Sequence, residues 1–249
     1  MMKYIKKEQE PEKLRSWFNN QYDEEGNRLG CDYYDDVPSD VKREVKEHLL
    51  KEQGFLCCYT GILIDTENSH IEHLKPYSIC RNEKNYEDVN YFNLVTAYPG
   101  RNYKSQDDEN DEDDEDDELN QPSKNSKKNN KKCPFGAHAK ENWYELDNFV
   151  TPLQSDCEDR FKFDDFGKVQ ATNHQDTAAQ ITIQKLVLNH QRLIDLRKAA
   201  IDEAIFPTDI ELDASDIQKI ANGLYSQKDE EGKFRQFCLV IEQVARQLI

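Results

Sequence analysis

The sequence has no long hydrophobic run and is poor in basic residues relative to acidic ones. Hydrophobic residues make up 36% of the 249 positions, and no apolar stretch approaches the roughly 20 residues of a membrane-spanning helix. The first residues, Met1 to Glu8, lack the apolar core of a secretory signal. The seven cysteines are odd in number and irregularly spaced, which does not predict a disulfide framework. We therefore expect a cytoplasmic protein.

The scarcity of positive charge limits how the chain could bind nucleic acid. Its formal net charge is −17, whereas proteins that bind nucleic acid unaided usually present a basic surface. Residues 107–118 carry 11 acids and residues 121–132 carry five lysines, a local sum of −6 that leaves −11 for the rest. If the chain acts on nucleic acid, we expect metal ions and a partner to supply much of the attraction.

The order of patterns predicts an α+β fold in three segments. Residues 1–54 form an N-terminal helical segment, with helices near 8–20 and 38–53. Residues 55–150 contain the candidate site, and about 101–132 form a disordered acidic and lysine-rich insert. Residues 151–249 form a hairpin and, from about Asp176, a C-terminal helical region that we expect to dock on a partner. Each apolar stripe taken alone favours core packing, and docking of the final helix itself is the alternative.

The middle segment is predicted to alternate short strands with loops. A strand from Phe55 to Ile64 contains a knuckle-like turn at Cys57-Cys58-Tyr59-Thr60-Gly61. A second strand surrounds His70 and is followed by a polar loop. A third follows at Tyr91–Ala97, and a short helix begins near Pro134.

Two histidines and a carboxylate, the candidate catalytic groups, lie within four residues of the segment Ser69-His70-Ile71-Glu72-His73-Leu74-Lys75-Pro76. A histidine can take a proton from water near neutral pH, and a carboxylate can hold a divalent cation. In a regular strand Glu72 and His73 point to opposite faces, so a shared site needs an early strand end or a bulge, for which Pro76 is a reason. The alternative is a half-buried strand with incidental histidines.

The order of these motifs resembles the ββα-metal fold of HNH endonucleases. Ile71-Glu72-His73, Asn93-Leu94, Cys133 to Lys140 and the opening Lys6-Lys7 are similar to the PtuB family. Members of that family are the HNH subunits of Septu-type and some retron-linked anti-phage systems. The resemblance implies a metal-dependent endonuclease that cuts DNA or RNA, with Mg²⁺ or Mn²⁺ as cofactor. It implies an ABC/SMC-like ATPase of the PtuA type as partner and, in retron-linked systems, a reverse transcriptase with its RNA–DNA.

The resemblance also implies roles for individual residues. His73 is the general base, Glu72 the metal ligand beside it, and Asn93 the residue that orients the imidazole. His70 and Lys75 flank this pair as further candidates for catalysis and substrate contact.

The ligand from the helix has two alternatives. If the insert lies inside the HNH motif, the metal ligand is His138, and Lys140 contacts a substrate phosphate. We favour this alternative. If the motif closes earlier, the ligand is Asn102, with Lys104 nearby.

Two departures from the family leave other functions open. Relatives bind structural zinc through Cys-x-x-Cys pairs, whereas here Thr60 and Tyr98 stand at expected cysteine positions. Cys57 and Cys133 alone do not complete a tetrahedral thiolate site, so we do not expect structural zinc; the alternative is a zinc site that also uses Cys58 or His70. The alternatives are an HNH-fold binding module that has lost catalysis, and an acidic interaction protein.

Overall fold

The structure, a computed structural model, describes residues 2–27, 29–100, 103 and 132–249. Within this part the chain forms eight α-helices and two antiparallel two-stranded sheets, so the predicted α+β class is confirmed. None of the helices in the described ranges is long and apolar enough to cross a membrane. The predicted disordered insert falls largely on residues 104–131, outside the described residues.

The N-terminal segment contains two helices, as predicted. Helix α1 spans Glu12–Asn19 and helix α2 spans Ser39–Glu52. Pro38 precedes α2 with a φ of −59°, an angle that proline already holds before the helix forms. The apolar stripe of α2 is buried, with Val45 and Leu49 fully enclosed. Its opposite side stays polar, which matters for the site below.

The central sheet consists of two four-residue strands. Strand β1 spans His70–His73 and strand β2 spans Leu94–Ala97, following a short 3-10 helix at Tyr91–Asn93. The strands pair antiparallel without interruption, from His70 opposite Ala97 to His73 opposite Leu94. This regular register decides which side chains of β1 share a face.

Two predictions for the middle segment are wrong. The predicted strand Phe55–Ile64 reduces to a single bridge between Leu56 and Leu63, because a tight turn uses the backbone groups between them. In that turn the Gly61 N–H donates to the Cys57 carbonyl over 3.1 Å. The predicted polar loop after β1 instead contains helix α3, Tyr77–Glu83, entered from Pro76 and anchored by buried Cys80.

The remaining elements agree with the predicted order. Helix α4 is short, and the hairpin strands β3 and β4 precede the C-terminal helices α5 to α8. Helix α4 spans Ala137–Lys140, strand β3 spans Phe161–Phe163 and strand β4 spans Val169–Ala171. The C-terminal helices are α5 at Thr177–Lys185, α6 at Gln191–Ile205, α7 at Ala214–Ala221 and α8 at Cys238–Arg246.

The larger hydrophobic core joins the two ends of the chain to its middle. Met2 and Phe135 share it with α8, whose apolar side is buried from Cys238 to Ala245. The core-packing interpretation of the last helix is therefore confirmed.

Two glycines with left-handed backbone allow a matched test of the packing under the β3–β4 turn. Gly167 has a φ of +83°, and an added Cβ would lie 2.7 Å from the Ile194 carbonyl of α6. Gly232 has a φ of +79° but open space around it. We expect Gly232→Ala to lose about 1 kcal/mol of stability, from backbone strain alone. We expect Gly167→Ala to lose a further ~1–3 kcal/mol from overpacking, measured by chemical denaturation. Equal losses would show that α6 moves aside without cost.

Candidate active site

Strand β1 presents two different faces. His70 and Glu72 point toward α4, where the carboxylate of Glu72 contacts Lys140. His73 points to the other face, against the ring of Tyr33 at 5.1 Å. Because the register with β2 is unbroken, no bulge brings Glu72 and His73 to one face. The expectation of a shared site for this pair is therefore wrong in this structure.

Glu72 is the centre of a buried charge network. Its Oε1 accepts from Lys140 Nζ at 3.0 Å and from the Tyr59 hydroxyl at 3.2 Å, and its Oε2 lies 3.7 Å from His70 Nε2. Burial alone would raise the pKa of Glu72, but the charge of Lys140 and the contact with His70 outweigh it and lower this pKa to about 2. Glu72 is therefore ionised throughout the physiological range.

Lys140 ties helix α4 to strand β1. Its side chain is 1% exposed, and its Nζ donates to the His73 carbonyl at 3.1 Å as well as to Glu72. A buried ammonium held in this way does not reach a phosphate in the cleft. In this structure Lys140 serves as the internal counter-charge of Glu72, and its predicted phosphate contact stays a prediction.

His70 is an imidazole whose proton position is fixed. Its Nδ1 lies 2.6 Å from the Pro99 carbonyl, and a carbonyl only accepts, so Nδ1 carries the proton. In the neutral ring Nε2 then holds the lone pair. Burial lowers the pKa of His70, but the nearby carboxylate of Glu72 favours the protonated ring and more than offsets the effect of burial, so the net shift of this pKa is upward.

His138 has the opposite arrangement. Its ring stacks on that of His70, with centroids 5.8 Å apart at 30°. Its Nδ1 accepts the backbone N–H of Cys133 at 3.0 Å, which uses the single lone pair of a neutral imidazole and leaves the proton on Nε2. Burial, followed by the charges of His70 and Lys132, lowers the pKa of His138. His138 therefore presents a hydrogen-bond donor, whereas the metal ligand that the resemblance implies needs a lone pair.

His73 is enclosed on the far face of the sheet. Its Nε2 donates to the Asp88 carbonyl at 2.9 Å, and the residue is 4% exposed. The ring of Tyr34 lies 5.7 Å from its own ring, in addition to the contact with Tyr33. Burial lowers its pKa. The histidine that the resemblance names as general base is thus covered by tyrosines.

Two other predicted site residues hold the structure together instead. The Asn93 amide donates to the Lys75 carbonyl at 3.0 Å and accepts the Lys75 N–H at 2.8 Å, so it orients a loop and not the imidazole of His73. The Lys75 ammonium pairs with Glu83 and Glu87, and these carboxylates raise its pKa. Its charge is compensated by these two carboxylates in this structure, and its predicted substrate contact stays a prediction.

A cleft of about 760 Å³ opens beside His70 and His138. Its other wall is the polar side of α2, where Lys42, Arg43 and Lys46 line it. Sequence analysis missed these cations. Lys46 follows Lys42 by four residues and Arg43 by three, and both spacings place side chains on one side of a helix. They outnumber the two acids that also border the cleft, Glu47 and Glu67.

The described donors do not form a metal site. Among the residues that the structure describes, no three His, Cys, Asp or Glu side chains come together in a group that could hold an ion. Oε1 of Glu72 is occupied by Lys140, and the lone pair of His138 by Cys133. The alternative ligand Asn102 and its neighbour Lys104 lie outside the described residues.

The cysteines also do not form a zinc site or a disulfide. All seven are free thiols in this structure and are buried, which is the common role of cysteine as a small apolar residue. Cys57 differs from the others: burial raises its pKa, but hydrogen bonds from Cys58, Thr60 and the Tyr98 N–H lower it to about 6.

Comparison with known proteins does not assign the chain to a family. No family model matches the sequence. No curated protein matches it either. The geometry therefore carries the functional argument.

The buried pair of Glu72 and Lys140 should dominate local stability. Lys140→Met leaves a buried carboxylate without its cation, and we expect a loss of about 3 kcal/mol in the free energy of unfolding. Lys219→Met breaks the exposed pair with Asp216, 2.9 Å long, and should leave stability essentially unchanged, because solvent screens this pair. Similar losses for both variants in urea denaturation would contradict a structural role for the buried pair.

The same pair predicts a pH dependence. The folded-state pKa of Glu72 is depressed from 4.5 to about 2, so its stabilising contribution is complete above pH 4.5 and is lost as the pH falls toward 2. Glu72→Gln should remove this part of the acid sensitivity. Stability curves of the two proteins over that range that run parallel would show that Glu72 titrates normally.

Proposed function

We propose that the chain is a nuclease that hydrolyses phosphodiester bonds in the cleft between α2 and β1. The observation that carries the proposal is His70. Its proton is held on Nδ1 by Pro99, and the ring lines a cleft whose opposite wall bears three cations. An imidazole in this state can take a proton from an attacking water through Nε2, and the cations suit the phosphate on which charge develops.

The groups around His70 fit this role. When Nε2 accepts the proton, the ring becomes positively charged, and the carboxylate of Glu72, 3.7 Å away, stabilises that charge. The stacked ring of His138 offers Nε2–H as a donor to a phosphate oxygen. Lys140 keeps Glu72 ionised from the side away from the cleft. The proposal thus moves the base from His73 to His70, because His73 is enclosed by tyrosines.

The resemblance to HNH nucleases supports the same reaction class. Strands β1 and β2 are followed in the chain by α4, and α4 contacts β1 through Lys140, which is the order of a ββα core. We include metal dependence, with Mg²⁺ or Mn²⁺, in the proposal on this resemblance alone. The described residues supply no metal site, so no step is assigned to the ion.

The negative net charge of the chain indicates that it needs a partner to bind nucleic acid. Its net charge outside residues 107–132 is −11, which repels phosphate at long range, and the three cations of the cleft compensate only locally. We propose that the ATPase partner implied by the resemblance supplies the remaining attraction. The nuclease would then act as the effector subunit of an anti-phage complex.

A catalytically inactive binding module is the second candidate. It is favoured by one observation: Lys140, not a metal ion, neutralises Glu72, and the pair is buried. A protein of this kind would bind nucleic acid in the same cleft without cutting it.

Exchange of single histidines tests the proposal. We expect His70→Ala to lower the cleavage rate by about 10²–10⁴, because a general base contributes that much. His73→Ala should reduce the rate less once the variant is shown to be folded, and His174→Ala, at an exposed position, should have no effect. The measurement is cleavage of plasmid, single-stranded DNA and RNA by the co-purified complex, with Mg²⁺, with Mn²⁺ and with chelator.

Each outcome separates the candidates. Loss of cleavage in His73→Ala with full activity in His70→Ala would restore the base that the resemblance implies. Binding without cleavage in all conditions would favour the inactive module. Loss of activity with chelator makes Asn102→Ala against His138→Ala the decisive comparison for the ligand.

A further inference from the structure

The cleft has features beyond those that hydrolysis requires. Besides the histidines and cations, two tyrosines line it, and Tyr34 is 45% exposed. Its ring is held edge-on by Tyr77 at 4.7 Å and by Tyr33 at 5.6 Å. A large aromatic ring that is fixed in place and open to solvent is a surface on which a base can stack.

The cations of the cleft suit one strand of phosphates. Lys42 donates to the Tyr34 carbonyl at 2.7 Å, and Lys46 to the Thr66 carbonyl at 2.6 Å. A carbonyl oxygen carries no formal charge, so the bond to Tyr34 positions the Lys42 ammonium without neutralising it. Arg43 is exposed between them on α2. Tyr34 and the cation row, Lys42, Arg43 and Lys46, therefore border the same cleft. The hydrogen bond from Lys42 to the Tyr34 carbonyl joins them directly.

The size of the cleft limits what enters. About 760 Å³ lies within the range of pockets that enclose one small-molecule ligand. A DNA duplex is larger than such a ligand in every direction, since its major groove alone is about 12 Å across. Enzymes that act on nucleotides inside such pockets take them single-stranded or flipped out of the helix.

We propose that this cleft binds an unpaired stretch of nucleic acid, with one base stacked on Tyr34 and the adjoining phosphate between Arg43 and the histidine wall. The inference rests on the proposed nuclease function and names its substrate class: single-stranded DNA or RNA, or an unpaired segment. Duplex DNA and fully paired RNA are excluded from the cleft, and a duplex becomes a substrate only where its strands separate.

Binding of labelled oligonucleotides to the co-purified complex, in which the partner supplies the remaining attraction, tests this substrate class apart from catalysis. At low salt, without divalent ions, a single strand should bind at least about tenfold more tightly than the duplex of the same sequence, because unpairing costs free energy. Tyr34→Leu should weaken single-strand binding by about 5- to 100-fold, whereas Tyr34→Phe, which keeps the ring, should bind as the native chain does. DNA and RNA strands are tested in parallel.

The cation row is tested by salt dependence. Arg43→Gln should reduce the slope of log affinity against log salt by about 0.7, the value for one phosphate contact on a single strand. Lys162→Ala, an exposed lysine on β3, should leave both affinity and slope unchanged. Thermal melts of each variant confirm that it is folded.

Three results would overturn the inference: equal or tighter binding of the duplex, unchanged single-strand binding by Tyr34→Leu, or no measurable single-strand binding at low salt. These failures differ from failure of the proposed function. Cleavage that depends on His70 together with a preference for duplex would remove only the substrate class. Single-strand binding through Tyr34 without cleavage would keep the substrate class and remove the hydrolysis.

Discussion

The ion pair between Glu72 and Lys140 is the interaction on which the site depends. It joins strand β1 to helix α4 across a sequence distance of 68 residues, and Lys140 also bonds the carbonyl of His73. A buried pair of this kind adds little to stability compared with an apolar contact, but loss of one partner is costly. The pair fixes α4 where His138 can stack on His70, and it keeps a negative charge beside the His70 ring.

The two faces of β1 divide the histidines into different roles. One face meets α4 and the cleft, and there His70 has a fixed proton and a lone pair. The other face buries His73 among tyrosines, two of which, Tyr33 and Tyr34, also line the cleft. The two faces are thus linked through an aromatic layer, so that a substrate base and a phosphate can be held at one opening. Under the proposed function, this linkage lets a single short strand serve both substrate binding and hydrolysis.

Local patterns predicted the elements better than the contacts. The stripe of α2, the β1 strand that ends before Pro76 and the start of α5 at Thr177 all depend on neighbouring residues, and each is confirmed. Helix α3 was missed because its polar surface hides the single buried anchor Cys80. The partners of site side chains could not be predicted: the bond of His70 to Pro99 spans 29 residues. Such long-range contacts, not motif spacing, decide which lone pairs are available.

The protonation of the histidines is the most direct test of this account. Long-range ¹⁵N–¹H correlation spectra of the full chain distinguish Nδ1–H from Nε2–H in each ring, and a dinucleotide with an uncleavable phosphodiester analogue probes the cleft. The account predicts Nδ1–H for neutral His70, Nε2–H for His138, and shifts of both rings on addition of the dinucleotide, while exposed His174 stays unchanged. An Nε2–H tautomer for His70, or dinucleotide shifts confined to His73, would contradict it.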